Sequence, residues 1–337
     1  MLLLVYILFH QSKLKNMTRL KPTLLLLSLL ATSLNYAQFT DAINSNRPGK
    51  SMSAFSVGKT VFQAEGGIYG ISENHDILNY DAKGFGGELA IRYGAFKEQL
   101  EFVVELQYQA DQYTTALQTT NRSGLKSTTI GAKYLVYDPF KNYEEKVNIY
   151  SWKANHRFKW RQLIPAVGVY AGANLVFGDN PYTFATDPSI SPKVMVITQN
   201  HFGRWVVVTN IIADKISTDY PSYGGILTVT RGFNEKWSGF LEVQGYKSDF
   251  YSDGIFRGGA AYLIQENIQV DASISKNIKD TPSIFYGGIG ISWRFDKNYK
   301  DVLIDSGKDS KGDKKAKKEK EEKKKRVDEI EGEPTTN

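Results

Sequence analysis

The chain has 337 residues, 13% of them aromatic and none of them cysteine. That excludes a disulfide framework and any thiol or cysteine-based metal site, while a mean hydropathy of −0.36 is too low for a bundle of membrane helices. The formal charge of +6 does not describe the body: of 42 bases and 36 acids, residues 1–37 hold four bases, and residues 296–337 hold 13 bases and 12 acids. The remaining 25 bases and 24 acids leave a near-neutral body, which excludes the electrostatic footprint of a nucleic-acid binder.

Residues 1–37 read as a secretory signal region. Met17-Thr-Arg-Leu-Lys-Pro supplies the basic start, the apolar run 23–34 follows, and Asn35-Tyr36-Ala37 precedes a cut before Gln38. The apolar run is too short to cross a bilayer comfortably. Met17 is the expected true start, with residues 1–16 an upstream extension. Residues 38–60 are polar and turn-rich around Asn46-Arg47-Pro48-Gly49. They read as an N-terminal periplasmic, plug-like segment.

From residue 61 to 295 the pattern changes to a period of two, the mark of strands with unlike faces. Residues 61–71 put Phe62, Ala64 and Ile68 on one face, with Gln63 and Glu65 on the other. Residues 85–94 separate Phe85, Leu89, Ile91 and Tyr93 from Glu88 and Arg92. Residues 100–111 show the contrast best: Leu100, Phe102, Val104, Leu106 and Tyr108 oppose Glu101, Glu105, Gln107, Gln109 and Asp111. Three ionised carboxylates on one strand face cannot lie in a dry core; that face must see water, and the other, apolar face is the one that meets lipid. Residues 130–136 follow, with Lys133 inward.

After a long interval come 163–177, 193–199, 205–213, 225–230, 238–246, 255–265, 268–275 and 283–295. The total is about twelve, an even number as in bacterial single-chain barrels. Links around 95–98, 201–204, 233–236 and 266–267 are short. Those at 72–83, 112–124, 178–191, 214–223, 247–254 and 277–282 are long. Short turns on one side and long loops on the other are what an outer-membrane barrel requires; the exception is the long link 138–161. The expected fold is therefore an all-β antiparallel transmembrane barrel of about 12 strands, embedded in outer-membrane lipid.

The last strand puts Phe285, Gly287, Ile289, Ile291, Trp293 and Phe295 on its apolar face. Its close on Ile291, Trp293 and Phe295 resembles the signal by which the barrel-assembly machinery takes up such proteins. Past it, residues 296–337 are rich in Lys and Glu and poor in apolar residues. They read as a charged, flexible periplasmic tail that cannot pack a core, with a contact to a periplasmic partner as a second reading.

The four histidines are His10, His75, His156 and His201. None has a second histidine at metal-ligand spacing, and none stands beside a strand serine at a nucleophile–base offset. No metal, cofactor or enzymatic activity is expected. The inward charges are Glu65, Glu88, Arg92, Glu101, Glu105, Lys133, Glu242, Arg257, Asp271 and Arg294. With six acids against four bases, at least two carboxylates lack a partner. An unpaired charge persists beside water or a cation, so the expected function is a passive, weakly cation-preferring channel for small solutes. The alternative is a barrel filled by paired charges, with a structural or envelope-assembly role and no transport.

Phe39-Thr-Asp-Ala-Ile-Asn-Ser-Asn-Arg-Pro-Gly, Ser56-Val-Gly-Lys and Val61-Phe-Gln-Ala-Glu-Gly-Gly-Ile-Tyr together are similar to the start of the outer-membrane transporter family named for the meta pathway of phenol degradation. Arg47, Pro48 and Gly49 carry that likeness; Asn46 stands where the family usually has Asp, while Gln63, Glu65 and Gly66 match. Ile164-Pro165-Ala-Val-Gly also resembles its mid-barrel strand. The resemblance implies an outer-membrane barrel and transport of small aromatic or hydrophobic compounds.

Overall fold

The computed structural model describes residues 43–139, 141, 150, 160–178, 180–183, 187–249 and 251–296. The signal region, the tail past residue 296 and most of the 138–161 interval lie outside them. Twelve strands follow in chain order: β1 Val61–His75, β2 Tyr80–Gly94, β3 Leu100–Thr115, β4 Thr119–Tyr137, β5 Ala166–Leu175 and β6 Ile190–Phe202. Then come β7 Trp205–Asp214, β8 Ser222–Gly232, β9 Trp237–Lys247, β10 Ser252–Gln265, β11 Ile268–Asn277 and β12 Ser283–Asp296. Each pairs antiparallel with its neighbours in the chain, and β1 closes on β12 with Val61 opposite Asp296. Closure leaves no unpaired edge, and the expected twelve-strand antiparallel barrel is the one observed.

The period of two becomes an inside and an outside. On β3, Glu101, Val103, Gln109 and Asp111 are buried inward while Phe102 and Tyr108 are exposed outward. Ile68, Phe85, Ile211, Leu241, Ile274 and Ile289 are each 59–72% exposed on the outer wall. An apolar belt running round a closed barrel is stable against lipid and not against water. Tyr93, Phe102, Trp205, Trp237, Trp293 and Phe295 are exposed in a girdle at the rim where the chain enters and leaves the barrel, the usual place for amphipathic rings at an interface.

At this terminal rim the links are residues 95–99, 203–204, 233–236 and 266–267, together with the long 138–165 link, whose described residues include a 3-10 turn at Trp160–Leu163. At the far rim they are 76–79, 116–118, 176–189, 215–221, 248–251 and 278–282. Two expected long loops, 72–83 and 112–124, are mostly strand. β1 to β4 have 15, 15, 16 and 19 residues, whereas about 9–11 suffice to cross the hydrocarbon layer. The additional residues have no apolar face because they stand clear of lipid, so alternation does not reveal them. Cross-strand pairs carry the ladder instead. The rings of Tyr80 and Tyr113 lie 4.9 Å apart, and Asn74 Nδ2 donates to Asp81 Oδ1 at 2.9 Å.

The buried apolar cluster lies inside the barrel. Met52, Ala54 and Phe55 of the N-terminal segment pack against Val103, Leu135, Tyr170, Met195, Ile197 and Val208 of the wall. The apolar cluster and the inward charges share β3 and β4, where Val103 and Leu135 stand two positions from Glu101 and Lys133.

Candidate functional site

Residues 43–58 lie within the terminal half of the lumen with no strand or helix of their own. Backbone without regular structure at membrane depth needs its polar groups satisfied by protein, and inward side chains do this. Asn46 N donates to Glu65 Oε2 at 3.1 Å, Val57 N to Glu101 Oε2 at 2.8 Å, and Lys50 N to Glu242 Oε2 at 2.8 Å. Asn210 accepts from Met52 N at 2.6 Å and returns its Nδ2 to Met52 O at 2.9 Å. Gln199 Oε1 accepts from Ala54 N at 2.9 Å. Lys133 Nζ donates to the carbonyls of Ser53 and Phe55 at 2.9 and 2.8 Å.

The segment turns at Asn46–Gly49, where each residue has a definite seat. Arg47 pairs with Glu88, and its Nη2 stands 3.1 Å from Asp271 Oδ1. Its guanidinium rests on the bare backbone of Gly67 and Gly290, where a β-carbon would collide with it. Burial opposes the arginine charge, but the two carboxylates outweigh it and hold its pKa above the ordinary value. A β-carbon on Gly49 would come within 2.7 Å of Glu242 Oε2. Lys50 adds a second cation to Glu88.

Nine of the ten candidate lumen charges sort into four groups. Glu65, Arg92, Glu101 and Lys133 form one buried cluster, with Arg92 Nε 2.7 Å from Glu101 Oε1, Arg92 Nη1 3.0 Å from Glu65 Oε1 and Lys133 Nζ 3.2 Å from Glu101 Oε1. Glu88 and Asp271 meet through Arg47. Glu242 pairs with Arg257, and Arg294 stands 3.6 Å from Asp296. Glu105 alone of the ten has no hydrogen-bond or ion-pair partner among the described residues. The excess of two acids counted on the strands is met by Arg47 and Lys50, so the argument from that excess to a cation preference fails. The omission was of the segment, whose two bases the strand count leaves out.

A second inward cluster lies toward the far rim, apart from these ten charges. Asp111 pairs with Arg122 at 2.8 Å, and the Arg122 guanidinium lies 4.3 Å from the Tyr113 ring. Lys126 Nζ donates to Gln109 Oε1 at 2.9 Å and, across the lumen, to Tyr286 Oη at 3.4 Å. The inward parity of β3 pointed to Asp111; nothing in the sequence marks Lys126.

Between the segment and the β6–β10 wall lies a cavity of about 950 Å³. Phe55, Val206, Val208 and Phe240 supply apolar lining, and Asn46 and Thr228 polar lining. The expected assembly residues Ile291, Trp293 and Phe295 are on the outer wall, 43–52% exposed, with the two rings 5.9 Å apart.

A family model described as "Putative MetA-pathway of phenol degradation" matches residues 45–295. No curated protein sequence matches the chain significantly. Among solved structures, an outer membrane channel from Pseudomonas putida F1 is similar at 13% identity and a TM-score of 0.48, over 74% of this chain and 99% of that one. The KdgM porin in complex with disordered oligogalacturonate is similar at 10% identity and 0.40, over 68% and 99%. The CymD monoaromatic hydrocarbon channel is similar at 9% and 0.38, over 70% and 89%.

Proposed function

The chain belongs to the family described as "Putative MetA-pathway of phenol degradation", and we propose that it is a passive outer-membrane channel for small solutes. The observation that carries this reading is the cavity of about 950 Å³ beside residues 43–55. The segment is bonded to strands around the wall, from Glu65 and Glu101 to Gln199, Asn210 and Glu242, and narrows the lumen, yet it leaves this cavity between itself and the β6–β10 wall. An unpaired inward charge, Glu105, beyond the segment supports water in the other half, because such a charge is costly without hydration. The lining next to the segment is half apolar, which suits small amphipathic or aromatic solutes. Passage, not catalysis, is the work proposed.

In this reading the terminal rim, with the segment and the tail that follows Asp296, faces the periplasm. The strand extensions of β1–β4 then project outward from the cell.

Single-channel recording in a planar bilayer, with swelling of liposomes in small neutral solutes, tests the proposal. Small, resolvable conductance steps and swelling that falls off with solute size are expected. A folded, heat-modifiable preparation that gives neither would favour the filled structural barrel instead.

A further inference from the structure

The half of the lumen beyond the segment holds a cation in an unusual setting. On β3 and β4 the register runs Gln107 opposite Ser127 and then Tyr108 opposite Leu125, so Lys126 is the additional residue of a bulge. Bulges re-aim a side chain and gather near functional sites. Here the side chain crosses the lumen from β4 to Tyr286 on β12, with Nζ 5.5 Å from that ring. Among the described residues no carboxylate is ion-paired with it. Asp111 is engaged by Arg122 and Gln109, and Glu73 accepts from Tyr80 Oη at 2.6 Å.

An ammonium carries three N–H groups, and two are directed at Gln109 and Tyr286. The third has no acceptor among the described residues. Beside it, Tyr69 and Tyr286 form an edge-to-face pair with ring centres 6.0 Å apart. Gln107 Nε2 donates to Tyr69 Oη at 2.9 Å, which fixes that ring's edge. The wall next to the pair is reduced to backbone at Gly86 and Gly288, where a β-carbon would press on Tyr69. A positive charge with Glu73 and Asp111 nearby but bonded to no carboxylate among the described residues, beside two held aromatic rings, is a recognition pattern for a single negative charge on a flat apolar body.

We propose that Lys126, Tyr69 and Tyr286 form a binding station for small ring-bearing monocarboxylates on the solute path. The station deepens the channel reading and rests on it for its purpose, but binding can be measured without conduction. The probe is benzoate, titrated calorimetrically into the detergent-solubilised full chain, with benzyl alcohol as the neutral analogue and acetate as the ringless one. Wild type should bind benzoate more tightly than either. Lys126→Gln should weaken benzoate about tenfold and leave benzyl alcohol unchanged, while Lys126→Arg, which keeps the charge, should retain most of the affinity. Heat-modifiable mobility checks that each variant is folded. The proposal is overturned by benzoate binding that is indifferent to Lys126→Gln, by an equal loss for benzyl alcohol, or by no saturable benzoate binding to wild type. Lys126-dependent binding by a barrel that conducts nothing would uphold the station and sink the channel. Conduction without benzoate binding would do the reverse.

Discussion

Arg47 Nη2 and Asp271 Oδ1 are 3.1 Å apart although their residues are separated by 224 positions. The same guanidinium pairs with Glu88, so one side chain from an irregular segment joins β2 to β11 through the lumen. Asp271 is fully buried and the Arg47 side chain only 10% exposed. The charges of this barrel are therefore balanced between wall and segment, and neither is balanced alone.

Removing Arg47 should unbalance it. Arg47→Ala leaves Glu88 with Lys50 alone and Asp271 with no cation, and breaking one side of a buried pair costs about 3 kcal/mol or more. The expected outcome is a lower melting temperature, a larger conductance and a new preference for cations, read from the reversal potential under a salt gradient. Adding Asp271→Asn to Arg47→Ala should reduce that preference. A reversal potential unmoved by Arg47→Ala would show that the segment does not sit in the conduction path.

Gly67 and Gly290 offer a test that leaves the charges in place. A β-carbon at either would collide with the Arg47 guanidinium, so Gly290→Val should displace Arg47 and imitate Arg47→Ala in conductance. Gly70→Val is the control, since at Gly70 the nearest atom to a β-carbon is a backbone oxygen 3.9 Å away. Equal behaviour of the two variants would remove the seat from the account.

Much of this was legible in the residues, and the part that was not has physical causes. Alternation over residues 100–111 shows which side of β3 meets lipid, because a membrane strand displays its two environments at every second position. It is silent where both faces meet water, which is why the far ends of β1–β4 read as loops. It is also silent on partners: Asn46–Gly49 announces a turn, yet its contacts with Glu65, Glu88, Glu242 and Asp271 join points far apart in sequence. Lys126 escapes for a third reason. A bulge breaks the parity on which the inward assignment depends.

Glu101 and Glu105 are both inward carboxylates of β3, and their surroundings predict opposite phenotypes. Glu101 accepts from Arg92, Lys133 and Val57 N and is fully buried. Glu101→Gln should lower the melting temperature by weakening that cluster, at a cost of about 3 kcal/mol. Glu105 has no hydrogen-bond or ion-pair partner among the described residues, so Glu105→Gln should leave stability within about 0.5 kcal/mol and shift ion selectivity toward anions. Thermal unfolding in detergent and reversal potentials separate the two; matching effects on both readouts would contradict the environments described here.

The last prediction concerns how the barrel reaches the membrane. Phe295 and Arg294 are neighbours on β12 with opposite fates: Phe295 is 50% exposed on the outer wall, and Arg294 is 3% exposed within. If the outward Ile291, Trp293 and Phe295 are read during assembly, they must be presented before the barrel closes, when the last strand is still separate from β1. Phe295→Ala should then lower the amount of folded protein in outer-membrane fractions while leaving the melting temperature of what does insert nearly unchanged, because the ring lies half exposed on the outer wall. Arg294→Ala should act the other way, reducing stability through the loss of an inward charge near Asp296 with a smaller effect on insertion. Quantitative blots of membrane fractions, paired with detergent melts of the purified barrels, distinguish these outcomes. Loss of both yield and melting temperature in Phe295→Ala would assign the ring a packing role, and the assembly reading would fall.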